Sequence, residues 1–363
     1  MRRFLKLTQA ELAELVAASE TSIWKMERGQ QPGDGLLEAT AIALGVEPGF
    51  FFDQELAEFL EEECNFRKRL TAAERLRKWV LAHGALFGRV VAYLRGLLTL
   101  PPYRVPQLQA ASLEDVERAA EKCREFYKLG KNAPIMSMGR VLENAGVVIT
   151  YRDEQTALLD AFSRYGKTDS IHLVSLNKLN PKSASRARWD MAHELGHLVL
   201  HTSSKCSLKE KEKQAHRFAG AFLLPRDGFS SDFWAGGQGG VDWDHLFELK
   251  GRWKVSLQAM IYRAADLGLI NALEFRRAYK EISIRRWRKE EPGEPPIENP
   301  ELFAKAMRTL ANKKGMAGSD VARALHLKPA TFAGITGWDV TSQASDKESI
   351  RGVLPFPKKK ATG

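Results

Sequence analysis

Met191-Ala-His-Glu-Leu-Gly-His-Leu-Val-Leu-His201 is the stretch on which the fold and chemistry of this 363-residue chain turn. In a helix, residues i and i+4 are neighbours on one face, so His193 and His197 can both aim an imidazole nitrogen at one metal ion, with Zn2+ the expected cofactor. Glu194, one residue on, is rotated to the side of that ion. A carboxylate there can take the proton of a water that zinc acidifies to a pKa of about 7, which is the chemistry of peptide hydrolysis. A bare HExxH recurs by chance in long chains, so its surroundings have to supply the rest of the site.

Catalytic zinc takes three protein ligands and keeps one position open, so a third ligand is expected from a neighbouring element. Glu212 is the candidate. It opens Glu212-Lys-Gln-Ala-His-Arg-Phe-Ala-Gly-Ala-Phe-Leu-Leu-Pro225, where Ala215, Phe218, Ala219, Phe222 and Leu223 recur at helical spacing until proline ends the run. Packed beside the first helix, its first turn would reach the metal. Glu210 is the alternative within the charged run Lys209 to Lys213. His216, one turn after Glu212, is expected in a second shell, as a donor to a ligand, with direct ligation as the other option. His201 continues the ladder from His197, yet three residues on consecutive turns cannot converge on one ion, so it is placed at the rim or in packing. Upstream, Val147-Val-Ile-Thr-Tyr151 and Ile171-His-Leu-Val-Ser-Leu176 are short β-branched or apolar runs between turn formers and predict strands of a small sheet.

Further out, the N-terminal segment predicts three helices with tight turns. Thr8 can cap the first, whose inward face is Leu12, Ala13 and Val16, and Ser19 can cap the second, with Ile23 and Met26 inward. Such a pair forms a helix-turn-helix. Its second helix would direct Thr21, Ser22, Trp24 and Lys25 at bases or phosphates, with Gln9 at the start of the preceding helix. Residues 54–130 are charged and helical, broken by Leu100-Pro-Pro-Tyr-Arg-Val-Pro106, and predict a helical spacer; Arg67-Lys68-Arg69 reads as a solvated face. Arg285-Arg-Trp-Arg-Lys289 leads into a proline-rich linker, 284–300, and 301–363 reads as a small helical region with a faint second helix-turn-helix pattern and a basic tail, Pro357 to Lys360.

Bulk properties agree with several units. The chain exceeds one ordinary core. A formal net charge of +10 and a pI near 9.4 suit a polyanionic partner. Cys64, Cys123 and Cys206 are too far apart for a thiolate zinc knuckle or a disulfide framework. No apolar run reaches the roughly 20 residues of a membrane helix, and Met1-Arg-Arg-Phe-Leu-Lys-Leu7 leads into no apolar leader, so no membrane partner and a cytoplasmic location are expected. The expected fold is α+β and mainly helical: a helix-turn-helix bundle (1–53), the spacer, a zincin-like peptidase domain with a small sheet (131–283), the linker and a helical C-terminal region.

AHELGHLVLH followed by EKQAHRFAGAFLLP resembles the ImmA/IrrE metallopeptidases over roughly residues 131 to 290, and an Asp160-Ala-Phe-Ser163 segment belongs to the likeness. The resemblance implies zinc held by His193, His197 and Glu212, with Glu194 as general base. That family commonly has Asn or Asp where His216 stands. LTQAELA, SETSIWKMERG and ATAIALGV, from about Leu7 to Phe52, resemble the Xre/Cro DNA-binding domains, with a shortened first helix. Trp253 to Ala264 resembles the helical segment that follows the peptidase core in relatives fused to such a domain. Together these imply an endopeptidase that cleaves an Xre-type repressor and derepresses a stress, mobile-element or antiphage operon. DNA is an expected partner, double-stranded through the helix-turn-helix or single-stranded as an activator, and a homodimer is allowed. The competing reading is a DNA-binding regulator whose peptidase-like domain serves as a sensor or dimerisation module.

Overall fold

The computed structural model describes residues 1–53, 64–66, 74–152, 161–166, 171–177, 183–202, 206–234, 241–288 and 290–340. Arg67-Lys68-Arg69, Asp160 and the Pro357 to Lys360 tail lie outside them.

Three short helices open the chain, α1 (Gln9–Leu15), α2 (Glu20–Met26) and α3 (Asp34–Leu44). Thr8 caps α1 in a reciprocal pair with Glu11, and Ser19 caps α2, so both ends of the α1–α2 turn are fixed by side-chain acceptors. Strand β1 (Cys64–Phe66) and the long helix α4 (Glu74–Leu97) follow, then α5 (Leu113–Phe126) and α6 (Met138–Asn144). Strands β2 (Val148–Arg152), β3 (Ala161–Tyr165) and β4 (His172–Asn177) lead into α7 (Ala184–Leu200) and α8 (Leu208–Leu223). The rest is helical: α9 (Arg226–Trp234), α10 (Trp243–Trp253), α11 (Leu257–Asp266), α12 (Ala272–Ile284), α13 (Leu302–Lys314), α14 (Gly318–Ala324) and α15 (Pro329–Thr336). The protein is thus α+β and mainly helical, as its sequence indicates. Among the described residues, no helix is long and apolar enough to cross a membrane.

The sheet has the order β1-β3-β4-β2, with β2 parallel to β4 and the other two pairings antiparallel. Successive side chains of a strand face opposite ways, and both faces here are apolar. Ile149, Ala161, Val174 and Leu176 point into a core shared with α5 to α12. Val148, Phe162 and Leu173 point into a second core built by α1 to α4 and α13 to α15. The sheet is therefore the partition between two cores, and α7 lies against the first.

The regions expected to be spacer and linker are structural. Along α4, Leu76, Trp79, Val80, Phe87, Val90, Val91 and Leu94 recur at helical spacing and are buried in the second core, while the charges lie on the opposite face. The C-terminal helices close that core against the N-terminal ones. Val46 bridges Leu327, the Glu47 N–H donates to the His326 carbonyl (2.9 Å), and Thr331 Oγ1 donates to the Gly45 carbonyl (2.6 Å). Gly45 is required there, since it takes a left-handed φ of +65° and a Cβ on it would lie 2.5 Å from Thr331 Oγ1.

The proline-rich stretch is a strap held by carboxylates. Glu291 accepts from Lys250 Nζ (2.9 Å) and the Leu257 N–H (2.8 Å), and Glu294 accepts from Lys250 Nζ (2.7 Å) and the Ser185 N–H (3.0 Å). Glu298 accepts from Ser137 Oγ (2.8 Å) and the Gly139 N–H (2.9 Å) and pairs with Arg188, which is 2% exposed at its side chain. Proline content alone suggests an exposed spacer; the partners that bind this strap lie 34 to 161 residues away in the chain, beyond the reach of local reading.

Candidate metal centre

Helix α7 starts at Ser183, whose side chain accepts from the Arg186 N–H, and every residue from Arg188 to Leu200 is buried. A helix buried all round needs close neighbours on every side, and Gly196 provides one. A Cβ at Gly196 would lie 3.1 Å from Phe218 Cβ, so the glycine lets α8 approach α7 at backbone distance. Phe218, Ala219 and Phe222 form the face of α8 that seals this contact.

Helix α8 begins at Leu208, a turn before Glu212, and so presents Glu212 from its second turn rather than its first. There the glutamate meets both histidines. His193 Nε2 and His197 Nε2 are 3.2 Å apart, Glu212 Oε2 lies 3.4 Å from His193 Nε2, and Glu212 Oε1 lies 3.3 Å from His197 Nε2. These three residues form the one group among the described residues whose His, Cys, Asp or Glu donor atoms could hold a metal ion. The donor set fits zinc in type and in size. Ligand bonds of about 2.0–2.1 Å in a tetrahedron place neighbouring donors about 3.3–3.4 Å apart. Each histidine faces a different Glu212 oxygen, and with one ligand atom taken from each residue the three donors lie within 4.8 Å of one another, close enough to converge on such an ion. Burial opposes ionisation of Glu212, but hydrogen bonds from His193 and His197 and their charge outweigh it and hold the carboxyl well below the usual range. Glu194 is fully buried beside the two histidines.

Behind His197 runs a directed hydrogen-bond chain. His197 Nδ1 lies 2.9 Å from His201 Nδ1, His201 Nε2 lies 3.0 Å from Gln214 Oε1, and Gln214 Nε2 donates to the Ala110 carbonyl (3.4 Å). Burial and the neighbouring His197 push His201 down to about 4, so it is neutral and can accept at Nδ1 while donating at Nε2. The His201 contact at Nδ1 orients the His197 ring so that its Nε2 faces Glu212. His201 is therefore a buried support of a candidate ligand, not a rim residue.

His216 lies elsewhere than expected. It is exposed on the outer side of α8, its ring 5.1 Å from that of Trp189 and 6.4 Å from that of Tyr262. Gln214, buried two residues earlier on α8, bonds the His201 ring and so supports the histidine chain. Glu210 is partly exposed in the first turn of α8, its N–H bound to the Ser207 cap. At the N-terminus, Thr21, Trp24 and Lys25 are exposed on α2, with Arg28 stacked 4.1 Å over Trp24. Gln9 donates to Glu27 (2.6 Å), and Ser22 bonds the Ser19 hydroxyl (2.8 Å), so both are already engaged within the protein.

Two histidines and a glutamate from a facing pair of helices, with a buried glutamate alongside, are the apparatus of a metal-dependent hydrolase. Residues 142–265 match the family model Peptidase_M78, the IrrE N-terminal-like domain. The match runs from α6 to α11 and so encloses β2 to β4, α7 and α8. Comparison with the curated proteins returned no match.

Proposed function

We propose that the protein is a zinc-dependent endopeptidase whose substrate is an Xre-type repressor, and that cutting it derepresses a stress, mobile-element or antiphage operon. The observation that carries the enzymatic part is the mutual 3.2 to 3.4 Å spacing of His193 Nε2, His197 Nε2 and the Glu212 carboxylate beside the buried Glu194. The repressor as substrate follows from the resemblance of the sequence to the ImmA/IrrE enzymes.

His193, His197 and Glu212 would hold the zinc ion, which when bound lowers the pKa of water and polarises the scissile carbonyl. Glu194 takes the proton of the attacking water and passes it to the leaving amine. Its full burial raises the strength of each electrostatic contact in the site and keeps bulk water from competing for that proton. The Gln214–His201–His197 chain holds the His197 ring in one orientation throughout. Thr21, Trp24 and Lys25 on α2, with Arg28 just beyond it stacked on Trp24, offer a small basic and aromatic face for DNA, consistent with the net charge of +10.

The test is incubation of the zinc-loaded chain with an Xre-type repressor, alone, with double-stranded operator DNA and with single-stranded DNA, followed by mass spectrometry of the fragments. The proposal expects one cut, absent in Glu194→Gln. An intact repressor in all three conditions would remove the assigned substrate.

A further inference from the structure

At the seam between the two cores lies a cavity of about 640 Å³. Its volume falls in the range of about 300–1,000 Å³ that small-molecule sites occupy. One side is the end of α4 and the chain beyond it, where Leu97, Leu98 and Leu100 pack on the second core and Tyr103 on the first. The opposite side is the end of the β3–β4 pair. Tyr165 and His172 are partners in register across that pair, which brings their rings to 5.0 Å, and Tyr103 stacks on His172 at 3.6 Å and 25°. Tyr103 and Tyr165 lie 5.6 Å apart, so three rings cluster at one wall. Arg95, half-buried in the last turn of α4, is the only Lys, Arg, Asp or Glu among the described residues that line the cavity.

The chain that leaves this wall runs to the candidate metal centre. Its course is first fixed at the α6–β2 turn, where the Arg104 N–H donates to the Ala145 carbonyl (2.8 Å). Gly146, at a φ of +79°, admits Pro102 so closely that a Cβ would lie 2.5 Å from the Pro102 carbonyl. Further on, Gln107 Nε2 donates to the Leu198 carbonyl (2.9 Å) and the Leu108 N–H to the Val199 carbonyl (2.9 Å), both in the last turn of α7. The Ala110 carbonyl accepts from Gln214, the residue that holds His201. One hydrogen-bonded segment, Tyr103 to Ala110, thus joins the aromatic wall to the support of the histidines.

We infer that this cavity is an effector site for a mononucleotide, whose base packs on the Tyr103, Tyr165 and His172 cluster, whose phosphate pairs with Arg95, and whose binding tightens the 103–110 segment against α7. None of the lining residues belongs to the His193, His197 and Glu212 group, so the inference goes beyond the peptidase reading. A flat heteroaromatic ring is the guest that aromatic walls favour, because every base offers a π-face to stack. A phosphate gains charge-assisted bonds from a guanidinium. A cationic guest would meet Arg95 and no carboxylate among the described lining residues. An aliphatic guest would use neither the ring faces nor the guanidinium.

Two variants change the cavity from exposed or half-buried positions. Gly96 lines it, is exposed, and a Cβ there meets nothing within 4 Å, so Gly96→Phe puts a ring into the space without a clash at the backbone. Arg95→Gln removes the guanidinium. Isothermal titration calorimetry of the full chain uses the 5′-monophosphates of adenosine, guanosine, cytidine and uridine, with the nucleosides and inorganic phosphate as partial probes. At least one monophosphate is expected to bind with a Kd below about 1 mM, and its nucleoside and phosphate each at least about tenfold more weakly. Gly96→Phe is expected to abolish that binding and Arg95→Gln to weaken it about tenfold. Hydrogen exchange read by mass spectrometry is expected to slow at least about fivefold in the peptide carrying Leu108 when the nucleotide saturates the native chain, and to stay unchanged in Gly96→Phe. Binding of none of the four, equal binding of phosphate alone, or undiminished binding in both variants would overturn the inference, and so would bound nucleotide with unaltered exchange at Leu108. None of these readouts passes through zinc or cleavage, so the inference stands or fails apart from the peptidase reading.

Discussion

Gly196→Ala probes the contact that sets the site. The added methyl would lie 3.1 Å from Phe218 Cβ and Cδ1 and 3.2 Å from its Cγ, whereas carbon atoms pack at about 3.5–4.0 Å. Phe218 is fully buried and cannot swing aside, so α7 and α8 must separate by roughly 0.5 Å. Overpacking of this kind costs about 1–3 kcal/mol, and the better helix propensity of alanine returns about 1 kcal/mol, leaving a net loss of about 0–2 kcal/mol. The larger effect falls on the metal. His193 and His197 ride on α7 and Glu212 on α8, and zinc tolerates ligand displacements of only about 0.2 Å. The variant should therefore keep its fold yet bind zinc at least about tenfold more weakly, a loss of about 1.4 kcal/mol. Thermal melting gives the first number and chelator competition the second. A variant as stable as the native chain with unchanged zinc affinity would refute the claim that the α7–α8 approach places Glu212.

Gln214→Leu removes the acceptor of the His201 Nε2–H and should weaken zinc binding about 10–100-fold without unfolding the chain; unchanged affinity would show that the His197–His201–Gln214 chain does not orient the ligand. Glu143, buried at the start of α13 where it accepts the Glu301 and Leu302 N–H groups, is pushed up from 4.5 to about 7, burial being the main cause. Its folded form holds a proton that the unfolded chain releases, so its contribution is fully present below about pH 4.5 and is lost as pH rises to about 7, by at most about 3 kcal/mol. Glu143→Gln should flatten the pH dependence of denaturant unfolding across that window; superimposable native and variant profiles would contradict it.

The parts of this protein written in local periodicity could be read directly. His193 and His197 at i and i+4, and the Ala215, Phe218, Phe222 stripe, specify two helices and the faces they turn to each other. Two supports of the site were harder to see. Gln214 sits in a run of lysines and glutamates that looks solvated, and only the crossing of α8 over α7 brings it to His201. His216, one turn after Glu212, is exposed, with its ring against Trp189 and Tyr262. Composition misled where partners are distant. The strap at 290–301 is rich in proline and glutamate, which alone suggests a solvated linker, yet Lys250, Ser185 and Arg188 bind it to the elements around the metal centre. The helix of α4 was legible in its charge-rich sequence, but not that its other face lies in the second core.

Zinc K-edge X-ray absorption on the full chain, alongside metal content, bears most directly on the central claim. One zinc per chain is predicted, with two imidazole nitrogens at about 2.0–2.1 Å, oxygen donors at about 2.0–2.2 Å and no sulfur near 2.3 Å. His193→Ala with His197→Ala should abolish that spectrum, and Glu194→Gln should preserve it. A sulfur shell, or zinc retained in the double histidine variant, would place the metal elsewhere and contradict the account.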